Sequence, residues 1–163
     1  MTGQWQQTVV DVEPGWIDYN GHMNLAYYVL AFDKATDDLY DHLGIGLGYR
    51  RVTNTSMFTL AINVDYLREV FAGDHLRIST LILDSDSKRL RYFHQMFQGK
   101  SDQLVATNEC VAIHVNMNGR RSTPFPANVM ARIIESWTEH RQLPVPEQAG
   151  RVLDVKPRRQ KAR

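Results

Sequence analysis

Cysteine is almost absent from this sequence, because Cys110 is the only one among 163 residues. One thiol cannot close a disulfide within the chain, and the apolar run around Cys110 favours a buried, inert side chain. A disulfide-stabilised framework is therefore excluded. We expect a reducing, cytoplasmic location.

Long apolar runs are absent as well. No uninterrupted stretch approaches the ~20 apolar residues that cross a bilayer, and residues 1–10 lack the basic and apolar regions of a signal peptide. We therefore expect neither membrane insertion nor export. The six histidines stand at no spacing typical of a metal site, so neither a metal nor a cofactor is expected.

No excess of one charge is present, since 19 Lys and Arg face 18 Asp and Glu for a net charge of +1. This balance argues against a nucleic-acid partner. The charge is uneven along the chain, because residues 151–163 carry +5 and leave −4 for residues 1–150. We predict one domain over residues 1–146 and a basic, flexible tail over residues 147–163. Contact between this tail and an anionic ligand is the alternative.

Hydrophobic spacing predicts a long helix near the start of the chain. Residues 6–13 alternate as a first strand does, and Pro14-Gly15 ends them. From Asn24 to Leu43 apolar residues recur every three or four positions, with Asn24 suited to the N-cap and Gly44 to the C-cap. The first two turns, LAYYVLAF, are apolar on nearly every face, so we expect an enclosed helix.

The residues after the connection GIGLGYRR alternate with a period of two as far as residue 118. Breaks near residues 72–74, 84–87 and 98–102 predict long antiparallel strands joined by short hairpins. A second helix is predicted over residues 127–140. Together these elements favour an α+β, hot-dog fold, in which an antiparallel sheet wraps around a long central helix. The unpaired sheet edges predict a homodimer or a dimer of dimers.

The segment WIDYNGHMNLAYY, residues 16–28, brings polar groups to the start of this helix. Helix N-termini present free N–H groups that stabilise a developing oxyanion. Asp18, seven residues before the first turn, is placed to attack a carbonyl carbon or to activate water. The alternative is purely structural, with Asn20-Gly21 as a turn and Asn24 as a cap.

The spacing of Asp18, Gly21 and the helix start resembles the 4-hydroxybenzoyl-CoA thioesterase-like branch of the hot-dog superfamily, over roughly residues 6–125. This resemblance implies an acyl-CoA thioesterase in which Asp18 is the nucleophile or the general base. It also implies that the Leu25 N–H polarises the thioester carbonyl. Asn20 and His22 are expected to position water or Asp18.

The expected substrate is a small or medium acyl-CoA, and coenzyme A belongs to the substrate. The phrases IDYNGHMN, YLREV and DSDSKRL resemble betainyl-CoA thioesterases in particular, which implies rings around a quaternary ammonium group. Ala61 stands where an acidic residue is expected for such a cation, so an uncharged acyl group is the alternative. We assign substrate binding to Gly21, whose missing Cβ permits a close backbone approach, and to Tyr27, Tyr28, Phe32 and Tyr66.

Two further assignments concern the coenzyme and the class of reaction. Lys88 and Arg89 follow a predicted hairpin, and their charges suit the phosphates of coenzyme A. A hot-dog enoyl-CoA hydratase and a non-catalytic acyl-CoA-binding protein are the alternatives to a thioesterase.

Overall fold

The structure is a computed structural model that describes residues 8–99 and 101–155. Its strands are β1 (Thr8–Asp11), β2 (Thr55–Tyr66), β3 (His75–Ser85), β4 (Arg89–Gln98), β5 (Gln103–Asn116) and β6 (Arg121–Ser122). Its helices are α1 (Leu25–Leu43), α2 (Leu47–Thr53) and α3 (Ala127–His140). The predicted strand residues 6 and 7 lie outside the described residues.

All the strands belong to one antiparallel sheet, in the order β1-β3-β4-β5-β2, with β6 paired to the end of β5. A tight turn joins β3 to β4, and β4 pairs with β5 as consecutive antiparallel strands, as the breaks in the alternation predict. Helix α1 packs against the inner face of this sheet. The α+β arrangement predicted from the sequence, a sheet wrapped around one long helix, is therefore confirmed.

Helix α1 begins and ends where its sequence predicts. The Asn24 side chain accepts a hydrogen bond of 3.0 Å from the Ala26 N–H, and Gly44 ends the helix with a φ of 73°. One face of the helix forms the core of the protein. Its buried residues are Tyr28, Ala31, Phe32, Ala35, Thr36, Leu39 and Leu43.

The opposite side of α1 is open, which corrects the expectation of an enclosed helix. Leu25 and Leu30 are 63% and 41% exposed, because the sheet of a single chain covers only part of the helix. The apolar composition of these first turns predicts burial. The sheet therefore leaves these apolar side chains exposed in the single chain.

Strand β2 is a long, exposed edge of the sheet. Its partly exposed apolar residues are Phe58, Leu60, Ile62 and Tyr66. A bulge between Thr59 and Ala61 shifts the register, so that Ile62 pairs with Cys110 on the inner face and Phe58 with Ile113 on the outer face. The simple alternation from Phe58 to Tyr66 predicts one shared face, and the extra residue of the bulge is why it does not hold.

Helix α2 was not expected from the sequence, which suggested only a glycine-rich connection. Its seven residues are too few for a periodic apolar signal, and none of them is buried. The Tyr49 hydroxyl lies 3.0 Å from His114 Nε2 and so ties this helix to β5.

Helix α3 is confirmed over residues 127–140, and it covers an edge of β3. Because β1 is short, the second half of β3 lacks a neighbouring strand on that side. The Ile82 N–H donates to His140 Nδ1 at 2.9 Å, and Trp137 Nε1–H donates to the Leu83 carbonyl at 3.2 Å. The helix thus satisfies backbone groups that a strand would otherwise pair.

The first part of the predicted tail lies on the outer face of the sheet. The Gly150 N–H donates to Glu109 Oε2 at 2.6 Å, and Asn63 Nδ2 donates to the Arg151 carbonyl at 2.7 Å. Arg151 also forms an ion pair with the buried Asp65. Residues 150 and 151 therefore contact β2 and β5, while the flexibility of the tail stays a prediction, and residues 156–163 lie outside the described residues.

A fully buried histidine links α1 to the sheet. The two ring nitrogens of His94 lie 3.0 Å from Thr36 Oγ1 and 2.8 Å from Thr80 Oγ1, and its ring stacks on Phe32 at 5.7 Å. Burial lowers the pKa of His94 to about 3, because the charged ring would lose its hydration.

This histidine predicts a loss of stability in mild acid. The unfolded chain takes up the proton near pH 6.5 and the folded chain does not, so the free energy of unfolding falls by about 1.4 kcal/mol per pH unit below that point. Urea titrations at pH 7.5 and pH 5 should show a lower midpoint at pH 5. The His94→Gln variant should be less stable at pH 7.5 but lose less between the two pH values. An equal loss in both proteins would contradict this role.

Candidate active site

A cavity of about 420 Å³ lies at the N-terminal end of α1. Six of the predicted site residues line it, namely Asp18, Asn20, His22, Leu25, Tyr28 and Tyr66. Tyr19, Arg68 and Glu69 also line it and were not assigned to the site from the sequence. Arg68 and Glu69 belong to the phrase YLREV, and the resemblance of this phrase to known thioesterases could have assigned both residues to the site.

A tight loop presents Asp18 to this cavity. The Gly21 N–H donates to the Asp18 carbonyl at 3.0 Å, and the Asp18 N–H donates to the His22 carbonyl at 3.0 Å. Gly21 has a φ of 83°, and a Cβ built on it would meet no atom within 4 Å. Glycine is therefore favoured here by the left-handed backbone, and the space beside it stays open within the chain, so a close approach of substrate to Gly21 stays a prediction.

One oxygen of Asp18 is held and the other is available. Asp18 Oδ1 accepts a hydrogen bond of 2.7 Å from the Asn20 N–H, which fixes the direction of the carboxylate. Oδ2 has no hydrogen-bond partner among the residues that the structure describes. A half-buried carboxylate with one free oxygen can attack a carbonyl carbon or accept a proton from water. The Asn20 backbone, rather than its side chain, makes the contact.

The Leu25 N–H is the donor that can polarise a carbonyl in this cavity. Leu25 is the first residue of α1, so its N–H has no partner within the helix, and the Asn24 cap takes the N–H of Ala26 instead. The positive end of the helix dipole adds to the field at this point. An oxyanion formed next to Leu25 would be stabilised by both effects.

His22 is oriented by its own neighbour in the chain. Its Nδ1 lies 3.2 Å from the Met23 carbonyl, and because a carbonyl only accepts, Nδ1 carries the proton. Nε2 then points towards Glu69, whose nearest carboxylate oxygen is 4.0 Å away. His22 can therefore contact bound water or substrate through Nε2.

Two tyrosines form one wall of the cavity. The rings of Tyr28 and Tyr66 meet edge to face with centroids 5.1 Å apart. The Tyr28 hydroxyl donates to the Arg68 carbonyl at 3.1 Å, and the Tyr66 hydroxyl donates to the Leu25 carbonyl at 3.2 Å. Burial first, then the nearby Tyr66 and Glu69, raise the pKa of Tyr28 to about 12, so it stays protonated.

Two of the predicted binding rings lie elsewhere. Tyr27 stacks on Trp16 with centroids 5.2 Å apart, and Lys34 Nζ already lies 5.4 Å from the centre of the Trp16 ring. Phe32 is fully buried against His94. Both rings belong to the packing of α1 and do not line the cavity.

Lys88 and Arg89 are engaged in local contacts after the β3–β4 turn. Lys88 Nζ donates to Ser122 Oγ at 3.1 Å, and Arg89 pairs with Asp86 at 2.7 Å. Both contacts are exposed, and contacts of this kind contribute little stability.

These two cations lie at the far end of the sheet from the cavity. The Lys88 carbonyl accepts from the His114 N–H, and His114 pairs with Met57 near the start of β2. The cavity lies at Tyr66, nine residues further along β2, or about 30 Å at the usual rise per residue. Within one chain the structure therefore does not bring Lys88 and Arg89 to Asp18.

Comparison with known proteins places this chain in a family. The model of the thioesterase-like superfamily matches residues 12–133. A betainyl-CoA thioesterase of Pseudomonas aeruginosa is 40% identical over 146 residues, which cover 90% of this chain and 92% of that protein. An L-carnitine dehydrogenase/betainyl-CoA thioesterase of Agrobacterium fabrum is 34% identical over 85% of this chain and 28% of that longer protein.

A solved structure agrees with the same placement. A Staphylococcus aureus protein, determined in complex with CoA, has a TM-score of 0.85 and 29% identity, covering 92% of this chain and 94% of that one. The chain belongs to the thioesterase-like superfamily and has the hot-dog fold. The prediction of an acyl-CoA thioesterase is therefore confirmed as the class of enzyme. The comparisons favour it over a hydratase and over a non-catalytic acyl-CoA-binding protein.

Within residues 8–99 and 101–155, no helix is both long enough and apolar enough to cross a membrane. The same part of the chain has no group of three or more His, Cys, Asp or Glu residues that could hold a metal ion.

The role of the Leu25 N–H can be tested with one substitution. Proline is tolerated at the first position of a helix, and Asn24 already has the extended backbone, with a ψ of 143°, that precedes proline. Leu25→Pro should therefore fold normally and lower kcat by about 100-fold or more, as loss of one oxyanion donor does. Leu25→Ala removes the side chain but keeps the N–H, and should retain most of the activity. Similar kcat values for the two variants would remove this N–H from the mechanism.

Proposed function

We propose that this chain hydrolyses betainyl-CoA to betaine and CoA. The similarity to a betainyl-CoA thioesterase along nearly the full length of both chains supports this substrate. The observation that carries the hydrolytic role is that Asp18, with one free carboxylate oxygen, and Leu25, the first residue of α1, line one cavity. A cytoplasmic location remains a prediction, supported by the buried, unpaired Cys110.

Ala61 stands where an acidic residue is expected for a cationic substrate, and its position in the fold bears on that expectation. Ala61 pairs with Val111 on the outer face of the sheet, beside Gly150 and Arg151. It does not line the cavity that holds Asp18. An acidic residue at this position would therefore not contact the acyl group within the chain, so its absence does not argue against a cationic substrate.

The reaction follows from the groups around the thioester. The Leu25 N–H binds the carbonyl oxygen as negative charge develops on it. Asp18 either accepts a proton while water attacks the carbonyl carbon, or attacks that carbon itself to give an anhydride that water then opens. In both routes the carbon–sulfur bond breaks, and the CoA thiolate takes up a proton. The products are the free acid and the CoA thiol.

A homodimer paired through β2 accounts for the open surfaces of the single chain. An exposed edge of twelve residues with apolar side chains invites pairing with a second copy. Two-fold antiparallel pairing would extend the sheet across both copies and cover the open side of α1. It would also bring the Thr55 end of β2 in one copy towards the Tyr66 end in the other. Lys88 and Arg89 would then approach Asp18 of the second copy and suit the phosphates of its CoA.

A substrate panel tests the proposed reaction. Thiol release should be fastest, by kcat/KM, with betainyl-CoA among short straight-chain, medium straight-chain and aromatic acyl-CoA esters. Asp18→Asn keeps an oxygen for the Asn20 N–H, so the loop should persist while kcat falls at least ~100-fold. The exposed Asp84→Asn serves as the control and should retain parental activity. Enoyl turnover without thiol release would favour a hydratase, and near-parental activity of Asp18→Asn would refute the site.

Mixed dimers test the shared site. Asp18→Asn protomers alone should be inactive, and protomers with Lys88→Ala and Arg89→Ala should have a raised KM for CoA esters. After subunit exchange, each mixed dimer contains one site with an intact Asp18 and intact cations from the other copy. A low-KM activity should therefore reappear. Its absence from mixed dimers verified by mass would contradict the contribution of Lys88 and Arg89 across the interface.

A further inference from the structure

The shape of a betainyl group limits where its charge can be bound. The quaternary nitrogen is separated from the thioester carbonyl by a single methylene. When the carbonyl lies between Asp18 and the Leu25 N–H, the nitrogen must therefore lie in the same cavity. This inference rests on the proposed function, because it starts from a betainyl substrate.

This limit excludes a second acidic cavity of the same chain as the binding site of the quaternary ammonium group. Between α1 and β2 lies a separate cavity of about 250 Å³, whose lining includes Asp33 and Asp37. It shares no lining residue with the cavity that contains Asp18. A cation held one methylene from the reacting carbonyl does not extend from one to the other within the chain.

Glu69 is the carboxylate of the Asp18 cavity that the hydrolytic step does not use. The charged residues lining this cavity are Asp18, Arg68 and Glu69, beside the titratable His22. Because Asp18 is assigned to the chemistry, Glu69 is the remaining carboxylate of this chain that lines the cavity and can offset the charge of a quaternary ammonium group. Such a group has no N–H to donate, so only charge and ring contacts can recognise it.

The backbone holds Glu69 in place from both sides. On one side, the Arg68 N–H donates to the Val105 carbonyl at 3.0 Å. On the other side, the carbonyl of the fully buried Val70 accepts from the Met23 N–H at 2.7 Å. Glu69 is therefore fixed against the loop that carries Asp18, although its side chain is exposed to solvent in the single chain.

The rings beside Glu69 complete a site for a cation. Tyr66 is 46% exposed and meets Tyr28 edge to face, so a ring face remains available on this wall. Attraction between a cation and a ring contributes about 0.5 to 2 kcal/mol, depending on how dry the site is. We propose that Glu69, together with the ring of Tyr66, binds the quaternary ammonium group and sets the preference for a cationic acyl chain.

The test compares betainyl-CoA with its neutral carbon analogue, 3,3-dimethylbutyryl-CoA, which has the same shape and no charge. The measured quantity is the ratio of kcat/KM for the two esters. Glu69→Gln should lower this ratio about ten-fold, a typical effect for removing one partner of a charge contact. Glu135→Gln, an exposed substitution on α3, should leave the ratio unchanged. Tyr66→Leu should lower the ratio, whereas Tyr66→Phe, which keeps the ring, should preserve it.

The outcomes separate this inference from the proposed function. If the wild-type protein shows no preference for betainyl-CoA over its carbon analogue, the proposed substrate is wrong and the inference fails with it. If the wild type prefers betainyl-CoA but Glu69→Gln has an unchanged ratio, only the inference is overturned. An equal fall for both esters would also overturn it, because Glu69 would then act on catalysis, for example through His22. In that case His22→Gln should reproduce the equal fall.

Discussion

The hydrogen bonds that fix the start of α1 determine the rest of the site. The Asn24 N–H donates to the Trp16 carbonyl at 2.9 Å, and the Met23 N–H donates to the Val70 carbonyl at 2.7 Å. These bonds hold the preceding loop against two other parts of the chain. Because the helix begins at Leu25, its first N–H has no partner within the helix, and Leu25 lines the cavity. The same loop also holds Asp18 at the cavity. The Leu25 N–H and the Asp18 carboxylate are therefore positioned by the same hydrogen bonds.

The sequence predicts best those features that depend on neighbouring residues. The Asn24 cap, the end of α1 at Gly44 and the extent of α3 rest on local chemistry, and the structure confirms each of them. The approach of Asp18 to the start of α1 is also a local matter, since seven residues separate them. The resemblance to known thioesterases then indicates what such an arrangement does.

The features that the sequence did not predict depend on distant pairing. The bulge between Thr59 and Ala61 exists only in the register between β2 and β5, and it moves Phe58 to the outer face, opposite to Ile62 and Tyr66. The assignment of Lys88 to the substrate assumed that its turn lies near Asp18, whereas the register between β2 and β5 places it at the other end of the sheet. Glu69 reaches the cavity because its backbone neighbours bond to other elements. No pattern among neighbouring residues in the sequence predicts these long-range contacts.

The placement of charge in the cavity bears on both rate and selectivity. Asp18 and Glu69 are two carboxylates that line one small space, and like charges in a shared site oppose each other. A cationic acyl group offsets that repulsion, whereas an anionic acyl group adds to it. In the proposed site, selectivity for a cationic acyl group would therefore arise from rejection of anionic groups as well as from attraction. The ammonium group also withdraws electrons from the neighbouring carbonyl, which makes it a better target for attack. A positive charge so close to the reacting carbon would thus assist both the attack on the carbonyl and the recognition of the acyl group. It does so only if the charge is bound by Glu69 and leaves Asp18 available for the reaction.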